Sequence, residues 1–151
     1  MAEKIWSQWE DENGNYLPFI ACTFDSNNNR LWQHESNGNM YYASKAYLND
    51  NGTVIVSDIY TPNFDGGTSK KKHLNKLFFY GDKVTGGTLK VRFSDDDYQT
   101  WTNFRNVDMG QTRPYLDRCG TFYRRAFHLR HDTNTAFRIS AIEHQIELGT
   151  L

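Results

Sequence analysis

Polar and apolar residues alternate along most of the chain, most plainly from Thr88 to Ser94. There Leu89, Val91 and Phe93 fall on one side of an extended segment, and Lys90 and Arg92 on the other. That is the signature of a half-buried strand. Ser94, Asp95, Asp96 and Asp97 then predict a turn, because their short polar side chains can hydrogen-bond neighbouring backbone N–H groups. Thr100 and Trp101 open the return strand, which residues 104–107 extend, and Trp101 is expected to cap the hairpin's apolar face.

The same pattern predicts strands elsewhere. Upstream, residues 5–10, 17–25, 30–35 and 40–47 read as four short strands separated by Asp11-Glu12-Asn13-Gly14, the polar run 26–29 and Asn37-Gly38. Residues 17–25 are apolar on both faces, as a central strand would be, and Asn37-Gly38 predicts a tight two-residue hairpin. Downstream, residues 53–60, 74–80, 121–130 and 136–148 read as strands. Residues 61–67 form a loop set by Pro62 and the Gly66-Gly67 pair. Residues 109–120 show no period and are expected to cross over as a loop. Within the last strand the apolar phase changes between Ala141 and Ile142, which predicts a bulge there.

These elements predict an all-β protein of antiparallel sheets in two parts. Residues 1–50 match one four-stranded propeller blade, since blades repeat every ~40–50 residues. Residues 51–151 match a β-sandwich-like domain. A single blade leaves both faces and both edges seeking partners, and no second copy occurs in the chain. The first part is therefore expected to pack on the second, on another chain, or on further blades of a longer polypeptide of which this is the tail end.

Composition supports strands: aromatic residues make up 15% of the 151 positions, a bias toward sheets and stacking surfaces. No apolar run approaches the roughly 18 residues of a membrane span, and the N-terminus lacks a leader's apolar core, so neither a span nor export by that route is expected. Cys22 and Cys119 are expected to be reduced thiols. No CxxC or HExxH spacing calls for zinc. Net charge is −1 but uneven. Residues 1–69 hold three Lys/Arg against nine Asp/Glu, and residues 70–151 hold fourteen against nine. The basic second half is compatible with non-specific contact to DNA phosphates.

Few residues suggest chemistry. Asp95, Asp96 and Asp97 have the composition of a cation or acid/base site, but three adjacent residues do not converge, and an Asp-rich turn explains them. Arg105, Arg113, Arg118, Arg124, Arg125, Arg130 and Arg138 include enough cations for an anion clamp; an interface role is the simpler expectation. Lys70-Lys71-Lys72-His73 reads as a solubilising guard on a strand edge. His34, His73, His128, His131 and His144 stand in no recognisable catalytic order. Trp6, Trp9 and Trp32 suit either a sugar platform or blade core, and core is the expectation. No catalytic, cofactor-binding or metal residue is assigned, and no enzymatic activity is expected.

Two resemblances follow from these residues. The hairpin of Ser94, Asp96, Thr100 and Trp101 resembles the Asp-box of β-propeller proteins, S-x-D-x-G-x-T-W, with Tyr98 in place of the usual glycine. The wider order is Trp6-Ser7-Gln8-Trp9, Phe19-Ile20-Ala21-Cys22, Arg30-Leu31-Trp32 and Gly38-Asn39-Met40-Tyr41. It continues through Asp58-Ile59-Tyr60-Thr61-Pro62 and Asp65-Gly66-Gly67 to Tyr123-Arg124-Arg125 and Phe137-Arg138-Ile139-Ser140. That order resembles the C-terminal region of the packaged-DNA stabilisation proteins of short-tailed bacteriophages, which form a tail hub or nozzle. The resemblance implies a non-enzymatic virion protein, assembled as a homo-oligomeric ring with other tail and portal proteins and helping to retain packaged DNA. The alternative is a carbohydrate- or receptor-binding β-module, such as a tail-fibre domain.

Overall fold

The structure, a computed structural model, describes residues 15–16, 18–42, 46–50 and 52–149. Within them there are strands and turns but no helix, and every strand pairing is antiparallel. The all-β antiparallel class read from alternation is the class observed. The chain divides into two compact units at residues 51 and 52.

The first unit contains β1 (Phe19–Phe24), β2 (Arg30–His34) and β3 (Met40–Tyr42), ordered β1-β2-β3. Here Phe19, Trp32, His34 and Tyr41 gather on one face, with ring centroids 5.7 to 6.3 Å apart. The turn after β2 is longer than the two residues expected. His34 N–H donates to Asn39 O at 2.9 Å, and Gly38 sits at φ 67° inside a four-residue loop. The strand expected at residues 5–10 lies outside the described residues, as do Trp6 and Trp9. Two short elements, β4 (Asn49–Asp50) and β5 (Thr53–Val54), flank the division.

The second unit is a sandwich of two four-stranded sheets around one core. Its strands are β6 (Ser57–Tyr60), β7 (Lys72–Gly81), β8 (Thr88–Ser94), β9 (Arg105–Asp108) and β10 (Tyr115–Asp117). The last three are β11 (Thr121–Phe122), β12 (Ala126–His131) and β13 (Ile139–Leu148). One sheet is built on β7, with β13 along one side and β10 and β11 sharing the other; the second runs β6-β12-β8-β9. Between them lie Leu74, Leu77 and Phe79 of β7, Leu89 and Val91 of β8, Val107, Leu116 and Leu129, all at most 4% exposed. Burial on this scale is the main favourable term holding the sheets face to face.

Five sequence readings need correction. The return strand of the hairpin does not open at Thr100 and Trp101, because β9 begins at Arg105. Residues 53–60 are not one strand, because β5 ends at Val54 and β6 begins at Ser57. Residues 121–130 split between the two sheets: Phe122 pairs with β7 and Ala126 with β8, and the chain crosses at Tyr123-Arg124. The expected loop at 109–120 contains β10, whose Leu116 is buried opposite Leu77. Lys72 guards no edge. It starts the central strand β7, is 1% exposed, and its Nζ donates to the carbonyls of Thr68, Lys70 and Tyr123, each at 2.7 Å. Three carbonyl acceptors replace the water that a buried ammonium loses.

The bulge predicted near Ala141 occurs slightly earlier. Register shifts between Ile139 and Ala141 and again between Gln145 and Ile146, where Asn75 of β7 is the extra residue. The first shift puts Ile139 and Ile142 on the same inner face despite their odd spacing.

Candidate functional site

The outer face of the β6-β12-β8-β9 sheet carries the densest polar and aromatic cluster of the described residues. Register explains its membership. His128 lies opposite Arg92 on one side and Tyr60 on the other, and Arg130 lies opposite Lys90 and Asp58. Alternation places these side chains on one surface while Phe93, Val91, Phe127 and Leu129 point to the core.

His128 is fully buried on this outward face. Tyr60 stacks on its ring at 4.0 Å and 17°, and Trp101 and Phe104 meet it edge-on at 5.7 and 5.2 Å. Arg92 Nε–H donates to His128 Nδ1 at 2.8 Å, so that nitrogen is the acceptor and Nε2 carries the proton. Nε2–H therefore donates to Asp58 Oδ1, 2.5 Å away. Arg130 completes the chain, donating from Nε and Nη2 to the two Asp58 oxygens at 2.8 and 2.9 Å. The Arg130 fork holds Asp58 below its ordinary range, against the opposing effect of burial, with the His128 hydrogen bond adding to it. Arg130 in turn is raised by Asp58. Arg92 also lies 4.5 Å above Phe104 and 5.2 Å above Trp101.

Trp101 corrects another expectation. It caps the outward polar face, beside Tyr60 at 5.8 Å and Tyr98 at 6.0 Å, and not the apolar face of the hairpin. Tyr60 and Tyr98 remain about half exposed. The three rings make a continuous aromatic rim beside a buried imidazole whose two nitrogens are both occupied. A histidine so held orients its neighbours; a general base needs a nitrogen free to take substrate's proton.

The acidic turn next to this rim separates its three carboxylates, as adjacent residues must. Asp96 accepts from Ser94 Oγ at 2.7 Å, Thr100 N at 2.9 Å and Thr100 Oγ1 at 2.5 Å. These bonds, with the Thr100 hydroxyl first, lower it to about 2. Asp95 receives Arg125 bidentately, at 2.6 and 2.7 Å. Asp97 pairs with Arg124 and accepts from Asn63 Nδ2 at 2.8 Å. Asp97 and Tyr98 both have left-handed backbones, φ 59° and 68°. That conformation is costly for tyrosine. Here Tyr98 N–H donates to Ser94 Oγ, and its hydroxyl donates to Thr61 O, each at 3.0 Å.

The arginines do not converge into a clamp. Arg105 and Arg118 meet Asp117, Arg113 meets Glu143, Arg124 meets Asp97, Arg125 meets Asp95, Arg130 meets Asp58 and Arg138 meets Asp82. Arg125 differs from the rest in being 1% exposed, between the rings of Phe93 and Phe122 at 3.9 and 4.4 Å, with Nη1 on Cys119 O. Among the described residues no three metal-binding side chains gather. An open recess of about 610 Å³ over the Asn75 bulge is lined by His73, Lys76, Arg118 and Asp117, a mixed set without a common target.

His131 and His144 face the interior, where burial lowers both, and His144 stacks beside Phe64 at 4.8 Å. His34 belongs to the first unit's aromatic face, and His73 lines the recess. Cys22 is exposed, Cys119 is buried with its thiol raised by that burial, and neither is in a disulfide. The outer-face cluster itself escaped sequence reading. Its signal was the shared parity of Asp58 with Tyr60, of His128 with Arg130 and of Lys90 with Arg92, readable only once pairing is known. No helix of the described residues is long and apolar enough to cross a membrane. No protein-family model matches the chain, and no curated protein matches it.

Proposed function

We propose that the chain is a non-enzymatic structural protein of a bacteriophage tail hub or nozzle, which helps close the head–tail channel and retain packaged DNA. The observation that carries the reading is the neutralised outer surface. Each of the seven arginines noted in the sequence is held by a carboxylate and Arg92 by His128, while Tyr60, Tyr98, Tyr80, Tyr115 and Tyr123 stay 38 to 62% exposed. Interfaces favour aromatic and arginine surface whose charge is already satisfied, since unpaired charges are costly to desolvate there. The ordered motifs that resemble tail-hub proteins, and the Asp-box-like hydrogen bonds of Asp96, supply the setting. In it the chain assembles as a ring with portal and tail proteins, and the basic excess of residues 70–151 meets DNA only through phosphates.

The test is the solution mass of the full chain by light scattering behind a sizing column. The expected result is a closed oligomer larger than a dimer, weakened by Tyr60→Ala with Trp101→Ala. A particle no larger than a dimer at every concentration would overturn the ring. A second reading has its own observation: the contiguous Tyr60, Trp101 and Tyr98 rings form a platform on which a sugar ring could stack. Glycan-array binding lost in those same variants would favour it.

A further inference from the structure

We propose that β13 is a self-complementary edge through which two copies of the chain pair antiparallel, continuing the β7 sheet across a two-fold axis. β13 has ten residues and pairs only with β7 among the described residues, so its other rim of backbone N–H and C=O groups lacks a strand. Long regular edges are usually shortened, covered, bulged or guarded by proline and charged side chains, lysine above all. Ile-Ser-Ala-Ile-Glu-His-Gln-Ile-Glu-Leu has no proline or lysine, and its carboxylates are the outward-facing Glu143 and Glu147. The bulge at Ser140 twists only its start, leaving residues 141–148 as the pairing segment.

The side chains select one partner and one register. Ala141, Glu143, Gln145 and Glu147 face outward; Ile142, His144 and Ile146 face inward and are half-buried. In a self-pair centred on His144, Glu143 of each copy stands opposite Gln145 of the other, and Glu147 opposite Ala141. On the inner side Ile142 meets Ile146. No like charges oppose, and both aliphatic pairs gain cover. Moving the centre to Gln145 sets Glu143 against Glu147 twice, and moving it to Glu143 sets that residue against itself; both are disfavoured. Centring on Ile146 avoids repulsion but shortens the ladder. Such a contact is isologous. It goes beyond the ring proposed above, which needs head-to-tail interfaces.

Gln145 is the discriminating position because it is exposed and stands opposite Lys76 within its own chain. Sedimentation velocity from 1 to about 200 μM would give the dimer Kd. Gln145→Lys creates two Glu143–Lys pairs across the axis and should tighten it about two- to thirty-fold. Gln145→Glu should weaken it comparably. Within each chain position 145 has Lys76 opposite it but Glu143 and Glu147 on either side along the same face, so the readout is the dimer Kd and its opposite shifts in the two variants. A wild-type chain and Gln145→Lys that both remain monomeric throughout would overturn the proposal. So would a dimer that both substitutions shift in the same direction. A ring larger than a dimer that ignores both charges would leave the tail-hub reading standing and remove this one.

Discussion

The three-stranded sheet of residues 19–42 and the sandwich of residues 52–149 share a composition, aromatic and alternating, but not a state of burial. Among the described residues of the first unit no side chain is fully buried; Ile20, Phe24, Met40 and Tyr42 are 47 to 62% exposed. In the sandwich the equivalent alternation encloses Leu74, Leu77, Phe79, Leu89 and Val91 at 0 or 1%. The difference is one of layers. A sheet becomes a core only when a second sheet covers its apolar face, and period-two alternation specifies that face without saying what covers it.

The largest effect should come from the sandwich interior. Leu77→Ala should cost about 4 kcal/mol in chemical denaturation, for lost transfer energy and the cavity left between the sheets. Phe19→Ala, with part of its ring already in water, should cost about 1 kcal/mol. Comparable losses would erase the contrast between the two regions.

A smaller effect tests whether the sandwich also depends on its one buried guanidinium. Asp95→Ala strands Arg125 at 1% exposure and should cost about 2 kcal/mol, reduced from a fully buried pair because Asp95 itself is partly in water. Replacing both partners, as Arg125→Met with Asp95→Asn, should cost less than Asp95→Ala alone. A double variant worse than the single one would show that the guanidinium's stacking on Phe93 and Phe122 outweighs its charge.

The smallest effect at neutral pH belongs to the exposed turn. Asp96 falls from 3.8 to about 2 on folding, so its contribution is complete above pH 4 and is lost as pH drops toward 2. Asp96→Asn should flatten that stretch of the stability–pH curve in thermal melts. An unchanged acid limb would mean that the Thr100 hydrogen bonds contribute nothing to folding.

Several features were legible because local chemistry decides them. β8 alternates without interruption, Asp95-Asp96-Asp97 forms the expected turn, and the change of apolar phase between Ala141 and Ile142 pointed to the bulge that β13 carries at Ser140. Others depend on distant partners. Lys72 looks like its exposed neighbours Lys70 and Lys71, and only the carbonyl of Tyr123, 51 residues away, together with two local ones, makes its burial tolerable. The break at Tyr123-Arg124 was hidden because no proline or glycine marks it, although the inward side changes there from Phe122 to the odd-numbered Phe127 and Leu129. Trp101 was expected on the wrong side because its position follows from His128 and Tyr60, which the hairpin's own sequence does not contain. The outer-face cluster is the same case, being assembled from β6, β8 and β12 by register alone.

The two cysteines give the molecule an internal clock. Cys22 is open to solvent, whereas Cys119 lies beneath Arg125 at 1% exposure, its thiol made less acidic by burial. A thiol reagent should therefore modify the chain in two phases: one mole at once, and a second only as often as the sandwich opens. Because the carbonyl of Cys119 anchors Arg125, the slow phase would time the release of that guanidinium, reporting the lifetime of the closed core without any added probe.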